Sequence, residues 1–278
     1  MPRENAVAAD NDQIETGSPE LLCRLEARVA SVTLHRPEAR NALTLEMKQA
    51  LARLVPALGA DPRVGCVLFT GSGGAFCAGG DTKLMAREGK PASPEDRKRQ
   101  LRWEHGIVAS IFELEKPTLA ALSGPAAGAG FALALACDLR IAAQSAFVTA
   151  AYAKLGLSGD YGGSWFLTRL VGPARAREIY FTGARLDARE CERLGIVNRV
   201  VADADLAREA GALAQQIAAG PPIALRFMKE NLNRALTQSL RACLDAEAEH
   251  MVQSAMTNDY LEAVRAFQEK RTPVFRGE

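Results

Sequence analysis

The sequence predicts an α/β fold, and two observations carry that prediction. In the first two thirds of the chain, short apolar or alternating runs are interleaved with segments of helical periodicity. Such alternation is typical of a largely buried sheet covered by helices. After Asp203 the strand signal fades and helical periodicity continues to the end. We therefore predict a flexible tail (residues 1–19), an α/β core (residues 20–203) and a helical C-terminal region (residues 204–278).

Each element of the core has its own local signal. Leu21–Glu26 and Val29–Leu34 read as two short strands, and Thr44 is a plausible N-cap for a helix over 45–58. A glycine-rich loop is predicted over 71–81 and a charged, solvated segment over 87–100, followed by a helix to residue 114. The remaining predictions are strands at 65–70, 118–122 and 139–142, and helices at 130–137, 204–219, 222–236, 238–256 and 259–270.

Composition narrows the class of protein. The 34 basic and 33 acidic residues give a net charge of +1, which provides no general field for nucleic acid or an anionic membrane. The six cysteines are scattered, so we expect neither a metal site nor a disulfide framework, and a reducing, cytoplasmic location. Residues 117–137 carry no charge and could span a membrane, but their prolines and glycines favour a strand, a turn and a buried helix.

Two glycine-rich turns are candidate sites for chemistry. They occupy residues 75–81 and 123–130, and the second runs into a predicted helix. Small residues allow close approach of a ligand, and a helix start offers free N–H groups that suit a negatively charged oxygen. For either turn alone, close packing of a helix on a strand is the more frequent explanation. The second turn lacks the glycine spacing of a dinucleotide site.

Four segments together resemble the crotonase superfamily, the enoyl-CoA hydratase/isomerase family. They are residues 35–43 (HRPEARNAL), 75–81 (AFCAGGD), 133–142 (LALACDLRIA) and 194–201 (LGIVNRVV), in the family's order and spacing. The resemblance implies a spiral of ββα units, with a helical C-terminal trimerisation region and an acyl-CoA thioester as substrate. It implies a homotrimer or a hexamer, and no cofactor beyond the coenzyme A of the substrate.

The resemblance also implies roles for individual residues. It places an oxyanion hole at the backbone N–H groups of Gly80 and Ala129. The implied coenzyme A positions are Ala39, Arg40, Ala42, Ala78, Asp81, Phe267 and Lys270. For Arg40 the alternative is a solvated charge. For the last two it is ordinary helix surface.

The chain departs from the hydratase pattern where the family carries two glutamates. Those positions hold Ala132 and Tyr152, still candidate substrate contacts but not bases near neutral pH. Asp160 instead falls where dienoyl-CoA isomerases, epoxyphenylacetyl-CoA isomerases and a chlorobenzoyl-CoA dehalogenase carry a functional aspartate. The alternative role for Asp160 is that of a helix N-cap.

Asp160 is therefore our candidate acid/base, and isomerisation is slightly favoured over hydration because only one candidate carboxylate is visible. Two alternatives stay open. One is a non-catalytic acyl-CoA-binding relative, and the other is a dehalogenase or hydrolase that uses Asp160. The three histidines fall in no recognised motif and are expected to be structural or exposed.

Overall fold

The computed structural model describes residues 12–88 and 93–278, and its strands form two sheets. The strands are β1 (Asp12–Ile14), β2 (Leu21–Glu26), β3 (Val29–Leu34), β4 (Cys66–Gly71), β5 (Thr118–Leu122), β6 (Ala126–Ala127), β7 (Leu139–Ala143), β8 (Phe147–Thr149), β9 (Leu186–Asp187) and β10 (Arg199–Val201). The larger sheet has the order β1-β2-β3-β4-β5-β7-β10, and the smaller has the order β6-β8-β9.

Ten α-helices accompany the sheets in the described part of the chain. They are α1 (Leu45–Ala60), α2 (Thr82–Glu88), α3 (Pro94–Phe112), α4 (Ala129–Ala136), α5 (Gly163–Thr182, interrupted at Gly172), α6 (Ala188–Arg193), α7 (Leu206–Ala218), α8 (Pro222–Ala235), α9 (Leu240–Ala255) and α10 (Asn258–Glu269). Most of the predicted strands and helices recur within a few residues of their expected bounds, and Thr44 caps α1 by accepting a hydrogen bond from the amide of Met47 (3.0 Å). The start of α3 is an exception: it begins at Pro94, inside the segment over 87–100 predicted to precede the helix, because Ser93 caps it there.

The larger sheet is parallel from β3 to β10, and β1 and β2 pair antiparallel at one edge. β5 is buried along its whole length, as expected for a central parallel strand with both faces covered. Because parallel strands point the same way, the loops that follow β4 and β5 leave the same edge of the sheet. Those loops are the two glycine-rich turns.

The N-terminal edge differs from the predicted tail. Asp12–Ile14 form β1, which pairs with β2 in the register Asp12 opposite Leu25. The side chain of Arg63 lies 2.8 Å from the Asp12 carboxylate and ties this edge to the loop before β4. Three residues are too few for a recognisable alternation, so pairing with β2 creates a strand that local sequence does not signal. Residues 1–11 lie outside the described residues.

The uncharged stretch of residues 117–137 folds as predicted, into β5, a turn with β6, and α4. All eight residues of α4 are buried. Arg140 holds the end of this helix, because its buried guanidinium donates to the carbonyls of Ala134 (3.3 Å) and Cys137 (2.5 Å). Across the described ranges, no helix is long and apolar enough to cross a membrane.

The C-terminal helices differ in what they cover. The predicted boundary near residue 203 falls between β10 and α7, yet α7 packs on β4, β5 and β7 and so completes the core. By contrast, α8, α9 and α10 leave large apolar side chains exposed. These are Met228, Leu232, Leu236, Leu240, Leu244, Met251, Val252, Tyr260, Leu261, Val264 and Phe267. This surface is far more apolar than a solvated helical face requires.

Candidate active site

The two glycine-rich turns lie against each other. Cys77 bridges to Ala126, and the amide of Ala127 donates to the carbonyl of Cys77 (2.9 Å). Gly79 has φ +86°, and a Cβ at this position would lie 2.5 Å from the carbonyl oxygen of Ala127 and 3.2 Å from the amide nitrogen of Ala129. Only glycine permits this approach. Gly80 and Ala129, predicted together from separate motifs, therefore border one cavity.

The backbone amides of Gly80 and Ala129 have no hydrogen-bond acceptor among residues 12–88 and 93–278. Ala129 is the first residue of α4, where the N–H points out of the helix and the helix dipole is positive. Two such donors at one cavity can hold an oxygen on which negative charge develops.

The cavity wall combines apolar residues with charged and hydroxyl-bearing ones. Its remaining lining residues are Leu43, Lys48, Ala78, Thr82, Met85, Arg97, Glu104, Gly128, Ala150, Ala151, Tyr152, Leu155, Leu157, Asp160 and Tyr161. Asp160 is therefore brought to the same cavity as the two free amides. A carboxylate facing a pair of N–H donors can move a proton to or from a group whose oxygen those donors hold.

The carboxylate of Asp160 faces Tyr152 and caps none of the helices in the described ranges. The Tyr152 hydroxyl donates to Oδ1 of Asp160 at 2.8 Å. The N-cap of α5 is Gly162, without a side-chain hydrogen bond, so the alternative role of Asp160 as an N-cap is wrong. Burial, and then the nearby charge of Asp160, raises the pKa of Tyr152 well above its usual range. Tyr152 therefore stays protonated and remains a donor to Asp160.

Neither position of the family's two glutamates supplies a carboxylate here. Ala132 is 1 % exposed within α4 and does not line the cavity, and its Cβ lies 3.4 Å from the position that a Cβ at Gly163 would take. Tyr152 is also buried, and its ring stacks on that of Tyr180 with centroids 5.9 Å apart. The second position is therefore filled by an aromatic layer, and the first is a buried alanine away from the cavity.

A second carboxylate, which the sequence analysis missed, also lines the cavity. Glu104 is buried on α3, and each of its oxygens is occupied. Oε2 lies 2.9 Å from Nζ of Lys48 and accepts from the hydroxyl of Tyr161 (3.0 Å), while Oε1 accepts from Gln100 (3.0 Å) and pairs with Arg97 (3.4 Å). The sequence signal that could have identified Glu104 as buried was its helical spacing from apolar residues. Glu104 occupies the first position of an i, i+3, i+4, i+7 stripe whose other members are Ile107, Val108 and Ile111.

Glu104 is held in its charged form. Burial alone would raise its pKa, but the Lys48 ammonium, the Tyr161 hydroxyl and the charge of Arg97 outweigh burial, so the pKa of Glu104 lies below its ordinary value of 4.5. Burial and the adjoining Glu104 charge raise the pKa of Tyr161, so Tyr161 remains a donor. A carboxylate with all its partners in place is a poor acceptor for a substrate proton. Glu104 is therefore our candidate for a structural role, and Asp160 remains the candidate base.

Glu104→Gln is expected to lower the free energy of unfolding at pH 7 by roughly 2–4 kcal/mol, because it leaves Lys48 without its buried partner. A lowered pKa gives stabilisation that is present above the unfolded-state pKa and is lost as pH falls through the folded-state pKa. The difference between wild type and variant should therefore shrink below about pH 4. Chemical denaturation at several pH values measures it.

Glu95→Gln on the same helix is the control, since Glu95 is exposed and, among the residues that the structure describes, pairs only with Lys98. That variant should cost less than about 1 kcal/mol at every pH. An equal loss of unfolding free energy in both variants would show that the buried contacts of Glu104 stabilise the fold no more than an exposed ion pair does.

The predicted coenzyme A positions of the first half of the chain are only partly at the cavity. Ala78 lines it, whereas Ala39 is half-buried, Ala42 is buried, and Arg40 is exposed. The carboxylate of Asp81 already has partners within the protein. It pairs with Arg36 (2.8 Å) and accepts hydrogen bonds from the amides of Lys83 and Leu84 at the start of α2. The hydrogen bond from Arg36 is the main reason that the pKa of Asp81 lies below its usual value.

Phe267 and Lys270 are not brought to the cavity by their own chain. Phe267 on α10 is 86 % exposed, and Lys270 is the left-handed C-cap of that helix (φ 55°). Neither residue lines the cavity of Gly80 and Ala129.

Comparison with known proteins assigns the chain to a family. The enoyl-CoA hydratase/isomerase family model matches residues 24–278. A crystal structure of an enoyl-CoA hydratase from Polaromonas sp. JS666 superposes with a TM-score of 0.86 at 38% identity, covering 92% of this chain and 99% of that one. The chain belongs to the enoyl-CoA hydratase/isomerase family of enzymes, and its crotonase-like α/β fold is confirmed.

Relatives within the family carry different activities in their names. The chain is 37% identical over 257 residues to 1,2-epoxyphenylacetyl-CoA isomerase of Escherichia coli K12, covering 92% of this chain and 98% of the relative. It is 33% identical over 248 residues to 4-chlorobenzoyl coenzyme A dehalogenase-1 of Arthrobacter sp., covering 87% and 88%. The family is therefore certain, while the reaction depends on the residues of the site.

Proposed function

We propose that this protein isomerises an enoyl-CoA thioester, with Asp160 as the acid/base and the amides of Gly80 and Ala129 as oxyanion donors. One observation carries the proposal. The carboxylate of Asp160 borders the same cavity as the two unpaired amides, whereas the other carboxylate of that cavity, Glu104, has its oxygens occupied. The names of the relatives, which include an isomerase of a CoA thioester, support the substrate class.

The proposed reaction moves one proton. The thioester carbonyl oxygen accepts hydrogen bonds from the amides of Gly80 and Ala129. Asp160 removes a proton from the α-carbon of a β,γ-enoyl thioester, and the electron pair of the C–H bond moves into the thioester, where the oxygen becomes negative. The electrons then return through the carbon chain as Asp160 delivers the proton to the γ-carbon. The product is the conjugated thioester, and Asp160 is again ionised.

The fixed donors make this chemistry accessible to an ordinary carboxylate. An amide that already points into the cavity needs no reorganisation when charge develops, and one such donor is worth about 3–4 kcal/mol in a comparable site. The Tyr152 hydroxyl orients the carboxylate of Asp160 without competing for its second oxygen.

Hydration is the less favoured reaction on the same residues. The family's hydratase pattern uses two glutamates to hold and activate water, and their positions hold a buried alanine and a buried tyrosine here. Asp160 would have to activate water alone. Nucleophilic use of Asp160 is a further candidate, which the relation to a chlorobenzoyl-CoA dehalogenase supports.

A binding and turnover panel tests the proposal. Titration calorimetry with acyl-CoAs should detect binding, and absorbance with mass spectrometry should detect conversion of a β,γ-enoyl-CoA without a change of mass. If every thioester binds and none is converted, the proposed enzymatic activity is contradicted and the non-catalytic acyl-CoA-binding alternative is favoured.

We also propose that the apolar surface of α8, α9 and α10 joins copies of this chain into a homotrimer or a dimer of trimers. An exposed apolar area of this extent is typical of an interface. Phe267 and Lys270, which lie away from their own cavity, would then close the coenzyme site of a neighbouring subunit.

Phe267→Ala is expected to weaken coenzyme A affinity roughly tenfold, equivalent to about 1.4 kcal/mol of lost contact across subunits. Since Phe267 is 86 % exposed within its own chain, the variant should keep the thermal stability of the isolated fold. Phe181→Ala is the matched control, because Phe181 is 77 % exposed at the end of α5. Titration calorimetry measures the coenzyme A affinity and scanning calorimetry measures the thermal stability. Light scattering measures the oligomeric state. A fully active wild-type monomer at micromolar concentration would contradict the proposed oligomer.

A further inference from the structure

Tyr161 separates the active-site cavity from a second, apolar groove. The groove lies between α3 and α5 and is lined by His105, Val108, Ala109, Phe112, Glu113, Tyr161, Gly162, Trp165 and Phe166. Within residues 12–88 and 93–278, Tyr161 alone lines both the groove and the cavity of Gly80, Ala129 and Asp160. The groove is the larger space, at about 340 Å³ against about 70 Å³ for the cavity.

The Tyr161 side chain is held firmly in this position. It is 2 % exposed, and its hydroxyl donates to Oε2 of Glu104 at 3.0 Å. Lys48 binds that same oxygen from α1, so the acceptor is itself fixed. On the groove side the rings of His105 and Tyr161 pack edge to face, with centroids 5.7 Å apart.

The backbone at this point turns the ring inward. Tyr161 has φ +53°, an unusual value for a residue with a side chain, and lies between Gly159 (φ +104°) and Gly162 (φ +71°). Glycine at position 162 also leaves room for the ring of Phe166, which would lie 3.1 Å from an added Cβ. The same turn therefore presents Asp160 to the cavity and places Tyr161 directly behind it.

We propose that Tyr161 is a specificity-determining barrier that restricts the enzyme to compact acyl groups. A short acyl chain fits beside Asp160, and a longer chain meets the locked tyrosine before it can reach the groove. The inference rests on the proposed function only in placing the acyl end of a CoA thioester in the cavity beside Asp160.

Affinity for saturated acyl-CoAs, from butanoyl-CoA to dodecanoyl-CoA, tests the barrier without requiring turnover. For the wild type, affinity should stop rising once the chain fills the cavity. Tyr161→Ala joins the two spaces, so affinity should then rise by roughly three- to fourfold for each further methylene that the groove buries. Tyr161→Phe keeps the ring and should keep the wild-type length profile.

A second substitution shows whether the gain depends on the groove. Ala109 is an exposed groove residue on α3, so Ala109→Trp fills the groove from its outer side. In the Tyr161→Ala background it should abolish the gain for long chains, and alone it should leave the wild-type length profile unchanged. If Tyr161→Ala fails to fold, Tyr161→Leu replaces it and should give a smaller gain in the same direction.

Two outcomes would overturn the barrier. One is a wild type that gains affinity steadily up to dodecanoyl-CoA. The other is a folded Tyr161→Ala variant with the wild-type length profile. Failure of the proposed isomerisation looks different, because acyl-CoAs would bind with the expected length profile while no enoyl-CoA is converted.

Discussion

Asp160→Asn is expected to lower kcat by roughly 100- to 10,000-fold, the range by which a positioned acid or base accelerates a reaction. The amide preserves the size of the side chain, and its oxygen can still accept the Tyr152 hydrogen bond of 2.8 Å. The affinity for coenzyme A thioesters should therefore change by less than about threefold, because basicity alone is removed. Steady-state kinetics and calorimetry on the same preparation measure the two effects.

Asp205→Asn provides the matched control for Asp160. Asp205 is a surface carboxylate paired with Arg208 at the start of α7, and the variant should keep wild-type kinetics. If Asp160→Asn retained near-full kcat, Asp160 could not be the acid/base, whatever its position in the cavity.

Ala129→Pro is expected to lower kcat by roughly 100- to 1,000-fold, because proline removes the backbone N–H of one oxyanion donor. A proline at the first position of a helix is well tolerated, and Ala129 is that position in α4. The preceding residue is Gly128, whose φ of +50° and ψ of −122° already require glycine and leave no Cβ to meet the proline ring.

Ala129→Gly is the control, since it removes a methyl group and keeps the N–H. It should retain kcat within about threefold, while both variants keep the far-ultraviolet dichroism of the wild type. Equal kcat in the proline and glycine variants would contradict an oxyanion hole at Ala129.

The sequence predicts most of the fold because most elements carry their own signal. The apolar run of β5 and the helix after Gly128 are defined by neighbours in the chain, and the structure contains both. β1 is different. Its residues Asp12–Ile14 become a strand only through pairing with β2, and a local sequence pattern does not indicate which segments pair.

Some features of the candidate site could likewise be predicted from the sequence, and others depend on the fold. Motif resemblance brings Gly80, Ala129 and Asp160 together as candidates, and the structure places all three at one cavity. Sequence could not decide whether Asp160 caps α5 or faces the cavity, because the answer depends on the left-handed turn at Tyr161 and Gly162.

Glu104 falls in the helix predicted to follow the charged segment over 87–100, and no motif marks it as a site residue. Its burial depends on Lys48 and Tyr161, which reach it from different parts of the chain. The periodic stripe on α3 was the one local indication that this carboxylate points inward.

The most direct test of the central claim is the fate of a short β,γ-enoyl-CoA, followed by absorbance and mass together. We expect the wild-type protein to produce the conjugated α,β-enoyl-CoA, with the absorbance of a conjugated thioester and no change in mass. Asp160→Asn should leave the substrate unchanged. A product heavier by one water, formed from α,β-enoyl-CoA while the β,γ-isomer stays untouched, would contradict isomerisation and establish hydration by a single carboxylate.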